Sequence, residues 1–128
     1  MVEIEYYENG NVWYEIPNEN DKQHGIEKWY YENGQVKRET PFENGKIHGI
    51  AKGYDKNGNV WYETPFKKGK QHGVEKWYYE NGQVKREIPF ENDMLHGLCK
   101  EFNEKGELVL KELYICGELI RSVKFKRR

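Results

Sequence analysis

Four His-Gly pairs stand at 24–25, 48–49, 72–73 and 96–97, each 24 residues after the last. Asn-Gly keeps the same step at 9–10, 33–34, 57–58 and 81–82, with Lys105-Gly106 in the fifth slot. The prolines at 17, 41, 65 and 89 are all the prolines in the chain. Thirteen residues, EKWYYENGQVKRE, recur letter for letter at 27–39 and 75–87. A period kept without insertion restricts the chain to an array of stacked units, each resting only on its neighbours.

The unit is read from its turns. Each holds two turn signals about eleven residues apart. The first is Tyr-Glu-Asn-Gly or a variant; the second is Glu-Asn-Gly (43–45), Lys-Lys-Gly (67–69) or Glu-Asn-Asp (91–93). Asn, Asp and Gly tolerate the positive φ that tight hairpin turns demand. Runs rich in Tyr, Trp, Val, Ile and Phe lie between, too short for helices and of ordinary strand length. The mean hydropathy of −1.10 borders on that of a disordered chain, but aromatics at regular positions argue for order.

The expected fold is therefore all-β. It is one elongated, twisted antiparallel meander of stacked 24-residue hairpins, with about eleven strands and a length of about 50 Å. The 128 residues form one repeat domain, with units at 1–23, 24–47, 48–71, 72–95 and 96–119. Residues 107–128 make a degenerate C-terminal capping hairpin, with Cys116-Gly117 in the second turn slot. A short helix over 107–114 is the alternative for that segment.

Alternation assigns the faces. A three-residue turn at Glu32-Asn33-Gly34 pairs Tyr30 with Val36 and Trp29 with Lys37, and in the next unit Gly53 with Trp61. Ile26, Tyr30, Val36, Thr40, Phe42, His48 and Ile50 then share one parity, a face that barely changes between units and is expected to be the packed one. The structural repeat positions are Tyr30, Gly34, Phe42, His48, Gly49, Tyr54, Gly58, Phe66, His72, Gly73, Tyr78, Gly82, Phe90, His96 and Gly97.

Catalytic and metal chemistry find no foothold. Equivalent histidines lie two strands apart, about 9.6 Å, which one zinc with ligands at about 2.0–2.1 Å cannot span. His24 is expected on the packed face between Ile16 and Phe42. The one serine, Ser122, lacks a nucleophile elbow. Cys99 is placed beside Lys111, too far from Cys116 for a disulfide. The glutamates recur in every unit, as solvated cross-strand partners do. The glycines are isolated turn residues that form no phosphate loop. No enzyme, metal or cofactor is expected.

Lys+Arg (21) and Asp+Glu (22) nearly cancel, so no nucleic-acid partner is indicated. No apolar run approaches a membrane span, and residues 2–20 are too acidic for a signal peptide, so a cytoplasmic location is expected. The ends differ in charge: the first unit is acidic, and the chain closes on Lys124, Lys126, Arg127 and Arg128.

The other face varies with a period of 48 residues. One slot reads Trp13, Lys37, Trp61, Lys85; another reads Trp29, Gly53, Trp77, Glu101. Tyr14, Arg38, Tyr62 and Arg86 alternate likewise on the opposite parity. Exposed Trp and Tyr beside cations are typical of binding hot spots. Trp13, Trp29, Tyr31, Lys37, Trp61, Trp77, Tyr79 and Lys85 are the candidate partner-binding residues. The bland alternative is that these rings cover a thin sheet and stack on Lys or Arg stems.

The string PFENGKIHGIAKGY, with Phe42, Asn44, Gly45, His48, Gly49 and Tyr54, resembles a MORN repeat. With YYENGQVKRE added, the chain over residues 1 to about 106 resembles the bacterial variant of that repeat, as in YwqK-type antitoxin or immunity proteins. The resemblance implies a non-enzymatic module that binds another macromolecule, with a toxin protein as one target, and a protein partner is the expectation carried forward. Two other functions compete. WYYENGQV is similar to the aromatic hairpins of choline- and glucan-binding repeats, which suggests carbohydrate or cell-wall binding. The basic tail suggests a membrane-associated scaffold. Open sheet edges also allow a homodimer.

Overall fold

A computed structural model describes residues 1–127. They form fifteen strands and no helix: β1 (Val2–Tyr6), β2 (Val12–Glu19), β3 (Lys22–Gln23), β4 (Gly25–Tyr30), β5 (Val36–Glu43), β6 (Lys46–Ile47), β7 (Gly49–Tyr54), β8 (Val60–Lys67), β9 (Lys70–Gln71), β10 (Gly73–Tyr78), β11 (Val84–Glu91), β12 (Met94–Leu95), β13 (Gly97–Phe102), β14 (Leu108–Ile115) and β15 (Glu118–Lys124). The long strands run β1-β2-β4-β5-β7-β8-β10-β11-β13-β14-β15 in one open antiparallel sheet. The two-residue strands β3, β6, β9 and β12 fold back on β2, β5, β8 and β11. Residues 108–115 are strand β14, not a helix. The meander and the capping hairpin stand as the repeat implied.

Both turn types follow from their residues. At the first turn, Gly34 N–H donates to Tyr31 O (3.0 Å) and Tyr31 N–H to Gln35 O (2.8 Å), closing a three-residue loop with Gly34 at φ 93°. The Asn33 carboxamide caps the turn by accepting from Gln35 N–H and reaches the next unit by donating to Lys56 O. The second turn is a two-residue loop with both residues at positive φ, as in Asn44 (50°) and Gly45 (84°), the type I′ geometry that matches strand twist. Lys68 and Cys116 occupy the same left-handed slot at φ 50° and 49°.

His-Gly and Pro are parts of one joint. His48 N–H donates to Pro41 O at 3.0 Å. Gly49 has φ 119°, and a Cβ there would lie 3.1 Å from Pro41 Cγ. Glycine is needed twice over, for the backbone and for the space beneath the proline ring.

The register departs from simple alternation at one place in every unit. Tyr30 faces Val36 as expected, but Trp29 faces Arg38 rather than Lys37, because a bulge lies between the two pairs. Val36 and Lys37 together oppose a single step of β4, so everything after them changes parity. Gly53 accordingly faces Tyr62, not Trp61. Cys99 faces Glu112, not Lys111.

The corrected faces are chemically distinct. On the first, Tyr30, Lys28 and Ile26 lie with Val36, Glu39 and Pro41. Thr40 and Phe42, and with them Phe66 and Phe90, move to the second face beside Glu27 and Trp29. Neither face is packed in the sense expected. Among the described residues only Ala51, Gly53, Thr64 and Cys99 are buried, and no side chain is fully enclosed. A single sheet has no second layer, so burial comes from neighbours in the same row.

Candidate binding surface

The row through Tyr14 and Trp29 carries the aromatic chemistry. Across the β2–β4 boundary Tyr14 faces Trp29, and across β8–β10 Tyr62 faces Trp77. The ring centroids are 4.6 Å and 5.0 Å apart, each pair tilted by 34°. Trp13 and Trp61, in the bulge slot, meet Trp29 and Trp77 edge-on at 6.0 Å and 6.1 Å. The result is two copies of one Trp-Tyr-Trp cluster on one face, four strands or about 19 Å apart.

Polar groups fix the inner rings. Trp29 Nε1–H donates to Glu27 Oε1 at 2.8 Å, and Trp77 Nε1–H to Glu75 Oε2 at 3.0 Å. Glu75 also accepts from the buried Thr64 hydroxyl at 2.8 Å. The Arg38 guanidinium lies 5.6 Å from the Trp29 ring. The outer rings are freer: Trp13 is 42% and Trp61 54% exposed. Beside Trp61 and Trp77 opens a groove of about 440 Å³, bounded also by Tyr79, Lys85, Arg86 and Glu104.

Tyr31 and Tyr79 stand differently from the four tryptophans. Tyr31 O–H donates to Tyr54 O and Tyr79 O–H to Phe102 O, both at 2.7 Å, tying each first turn to the next unit. Burial, aided by Asp55 for Tyr31 and by Glu101 and Glu104 for Tyr79, raises both phenols above the ordinary tyrosine range. Lys37 and Lys85 lie 5.7 Å above these rings, as cations on aromatic faces. The candidate residues thus fall into two groups: four tryptophans in clusters, and two Lys-Tyr pairs at the turns. Simple alternation set Tyr14, Arg38, Tyr62 and Arg86 on the opposite parity. The bulge brings them onto the tryptophan face, where Tyr14 and Tyr62 complete the stacks.

Histidine serves the ladder by hydrogen bonding, not by packing. His24, His48 and His96 are half-exposed. Each Nδ1 accepts a backbone N–H from the second turn of the next unit: Asn44 (3.3 Å), Lys68 (3.2 Å) and Cys116 (3.2 Å). Each Nε2 points toward a glutamate of its own hairpin, as in His24 and Glu19 at 3.8 Å. Among the described residues no group of three or more His, Cys, Asp or Glu is placed to hold a metal. Both cysteines are free, and burial raises the Cys99 thiol above its ordinary range, against a nucleophilic role.

Comparison with known families decides what the period means. The family described as "MORN repeat variant" matches residues 1–20, 23–46, 47–68, 71–92 and 95–115. The chain belongs to the MORN repeat variant family. The matched MORN repeats track the hairpins: each holds one strand pair, from β1–β2 to β13–β14, and the fifth extends the likeness past residue 106. Strand β15 lies beyond the last matched repeat. No curated protein matches the chain. Among the described residues no helix is long and apolar enough to cross a membrane.

Proposed function

We propose that this MORN repeat protein is a non-enzymatic module whose tryptophan face binds another protein, and that it acts in the cytoplasm as an antitoxin or immunity protein occluding a toxin. The observation that carries the reading is the pair of Trp-Tyr-Trp clusters on one face, each with a half-exposed outer ring. Trp13 and Trp61 offer large, rigid contact area at little entropic cost, and Trp29, Trp77 and the stacked tyrosines hold them in place. Lys37, Arg38, Lys85 and Arg86 add cations at the margin, and Tyr31 and Tyr79 brace the turns that present them. The antitoxin role rests on the resemblance to YwqK-type proteins alone. The acidic first unit, with Glu3, Glu5 and Glu8, suits a basic cleft such as a nuclease toxin presents.

The test pairs capture with growth. Tagged protein is used to recover partners from its own cells, and any recovered toxin-like protein is expressed with and without it. Wild-type protein is expected to rescue growth, and the Trp13→Ser/Trp61→Ser variant to fail while keeping its β-sheet circular dichroism. Rescue by that variant would remove the tryptophan face from the mechanism. Quenching of Trp fluorescence by cell-wall glycans, without any protein capture, would favour the carbohydrate reading instead.

A further inference from the structure

The first face of the sheet carries a charge ladder with one break. Along its middle row, cross-strand neighbours read Glu15, Lys28, Glu39, Lys52, Glu63, Lys76, Glu87, Lys100. The next position is Lys111, so Lys100 faces a second lysine where every earlier unit supplies a glutamate. The row beside it alternates aliphatic residues with proline, as in Ile50 opposite Pro65, and ends with Leu113 opposite Arg121. At this end, Leu98, Lys111, Leu113, Arg121, Val123 and Phe125 enclose a concave groove of about 370 Å³. Its walls are apolar side chains and two cations, with no carboxylate. Lys111 differs from the earlier ladder positions in its cross-strand neighbours, Lys100 on one side and Val123 on the other, and Arg121 faces Leu113, so neither cation has a glutamate directly opposite. Lys111 Nζ and the Arg127 guanidinium flank the Phe125 ring at 6.0 Å and 5.2 Å.

We infer that this groove, across β13–β15, docks an acidic segment of a partner protein whose apolar side chains fill the groove and whose carboxylates pair with Lys111 and Arg121. Charge complementarity selects the occupant: the groove is lined by two cations and no carboxylate, at the one place where the alternation of Glu and Lys breaks. Shape favours a peptide over a lipid surface. Apolar atoms that line a concavity receive side chains, whereas insertion into a bilayer needs them to protrude. The site lies on the opposite face from the tryptophan clusters and stands or falls independently of them.

The test uses full-length protein and a labelled synthetic peptide that alternates Glu with Leu and Phe, read by fluorescence anisotropy. Lys111→Glu restores the ladder, so it is expected to keep or raise the melting temperature while weakening peptide binding about tenfold or more. Arg121→Glu should act likewise, and a Lys-for-Glu version of the peptide should not bind. Methyl resonances of Leu98, Leu113 and Val123 should shift on titration. Equal binding by wild type and Lys111→Glu would overturn the inference. So would Lys111-dependent sedimentation with phosphatidylserine vesicles in the absence of peptide binding.

Discussion

At the scale of single residues, the clearest dependence is that of Gly53 on Tyr62. A Cβ on Gly53 would lie 2.1 Å from Tyr62 Cε2, so the Tyr62 ring covers the bare backbone while stacking on Trp77. Covering a strand glycine with a cross-strand aromatic recovers packing that glycine cannot supply. Gly53→Ala must push the ring off its stack, and a loss of about 1–3 kcal/mol is expected from chemical denaturation. An unchanged midpoint would mean that the ring is not held. A second residue-scale prediction concerns alkali. Burial, then the Glu39 carboxylate for Tyr54 and the Glu63 carboxylate for Tyr78, push both phenols up to about 12 from 10.0. Tyr78 O–H donates to Glu63 at 2.6 Å. The folded state therefore holds these protons more tightly than the unfolded chain. Their stabilisation is fully present below about pH 10 and is lost as pH climbs through about 12. Ultraviolet titration should show late-ionising tyrosines that Glu39→Gln and Glu63→Gln return toward 10; ionisation of all ten as one early group would contradict the ladder.

At the scale of the hairpin, stability is a matter of turns and the bonds that link them. Lys68 sits at φ 50° in a slot that holds Asn20, Asn44 and Asn92 in three of the other hairpins and Cys116 in the last. Lysine gains nothing from the left-handed region, so Lys68→Asn is expected to stabilise by up to about 1 kcal/mol. His48→Ala removes the acceptor for Lys68 N–H and should cost about 1 kcal/mol, readable in the same denaturation series. If the two substitutions add without coupling, the His48 bond does not hold the turn in its geometry. The turns were legible in the sequence because positive φ selects Asn and Gly visibly. The bulge was not: Val36 and Lys37 are ordinary strand residues, and the extra step shows only as a change of parity. That one step accounts for the misplacement of Thr40, Phe42, Tyr62 and Cys99 alike. The tryptophans were still found, because their 48-residue recurrence does not depend on which face they occupy. Their stacking partners Tyr14 and Tyr62 stood in plain view one position away.

At the scale of the whole molecule, a sheet without a second layer is held by neighbour contacts alone, so its stability should grow roughly with the number of MORN repeats. Deleting residues 48–95 joins Ile47 to His96 in the context in which Leu95 now precedes it, and preserves the row of alternating hairpin types. The shortened chain is expected to fold, to melt at a lower temperature and to keep the near-ultraviolet dichroism of the remaining Tyr14–Trp29 stack. Deleting only 48–71 also leaves every remaining turn intact, but it removes Tyr62 and seats Trp77 beside Arg38. Backbone register survives that change while the second aromatic cluster does not. If the 24-residue hairpin were the full unit of this molecule, the two deletions would differ only by the number of hairpins lost. If the pair of hairpins is the unit, the smaller deletion should disturb the near-ultraviolet spectrum out of proportion to its size. It should also cost more of the aromatic signal per residue removed than the larger one. The far-ultraviolet sheet signal should follow length in both, which separates what the repeat does for folding from what its doubling does for the binding face.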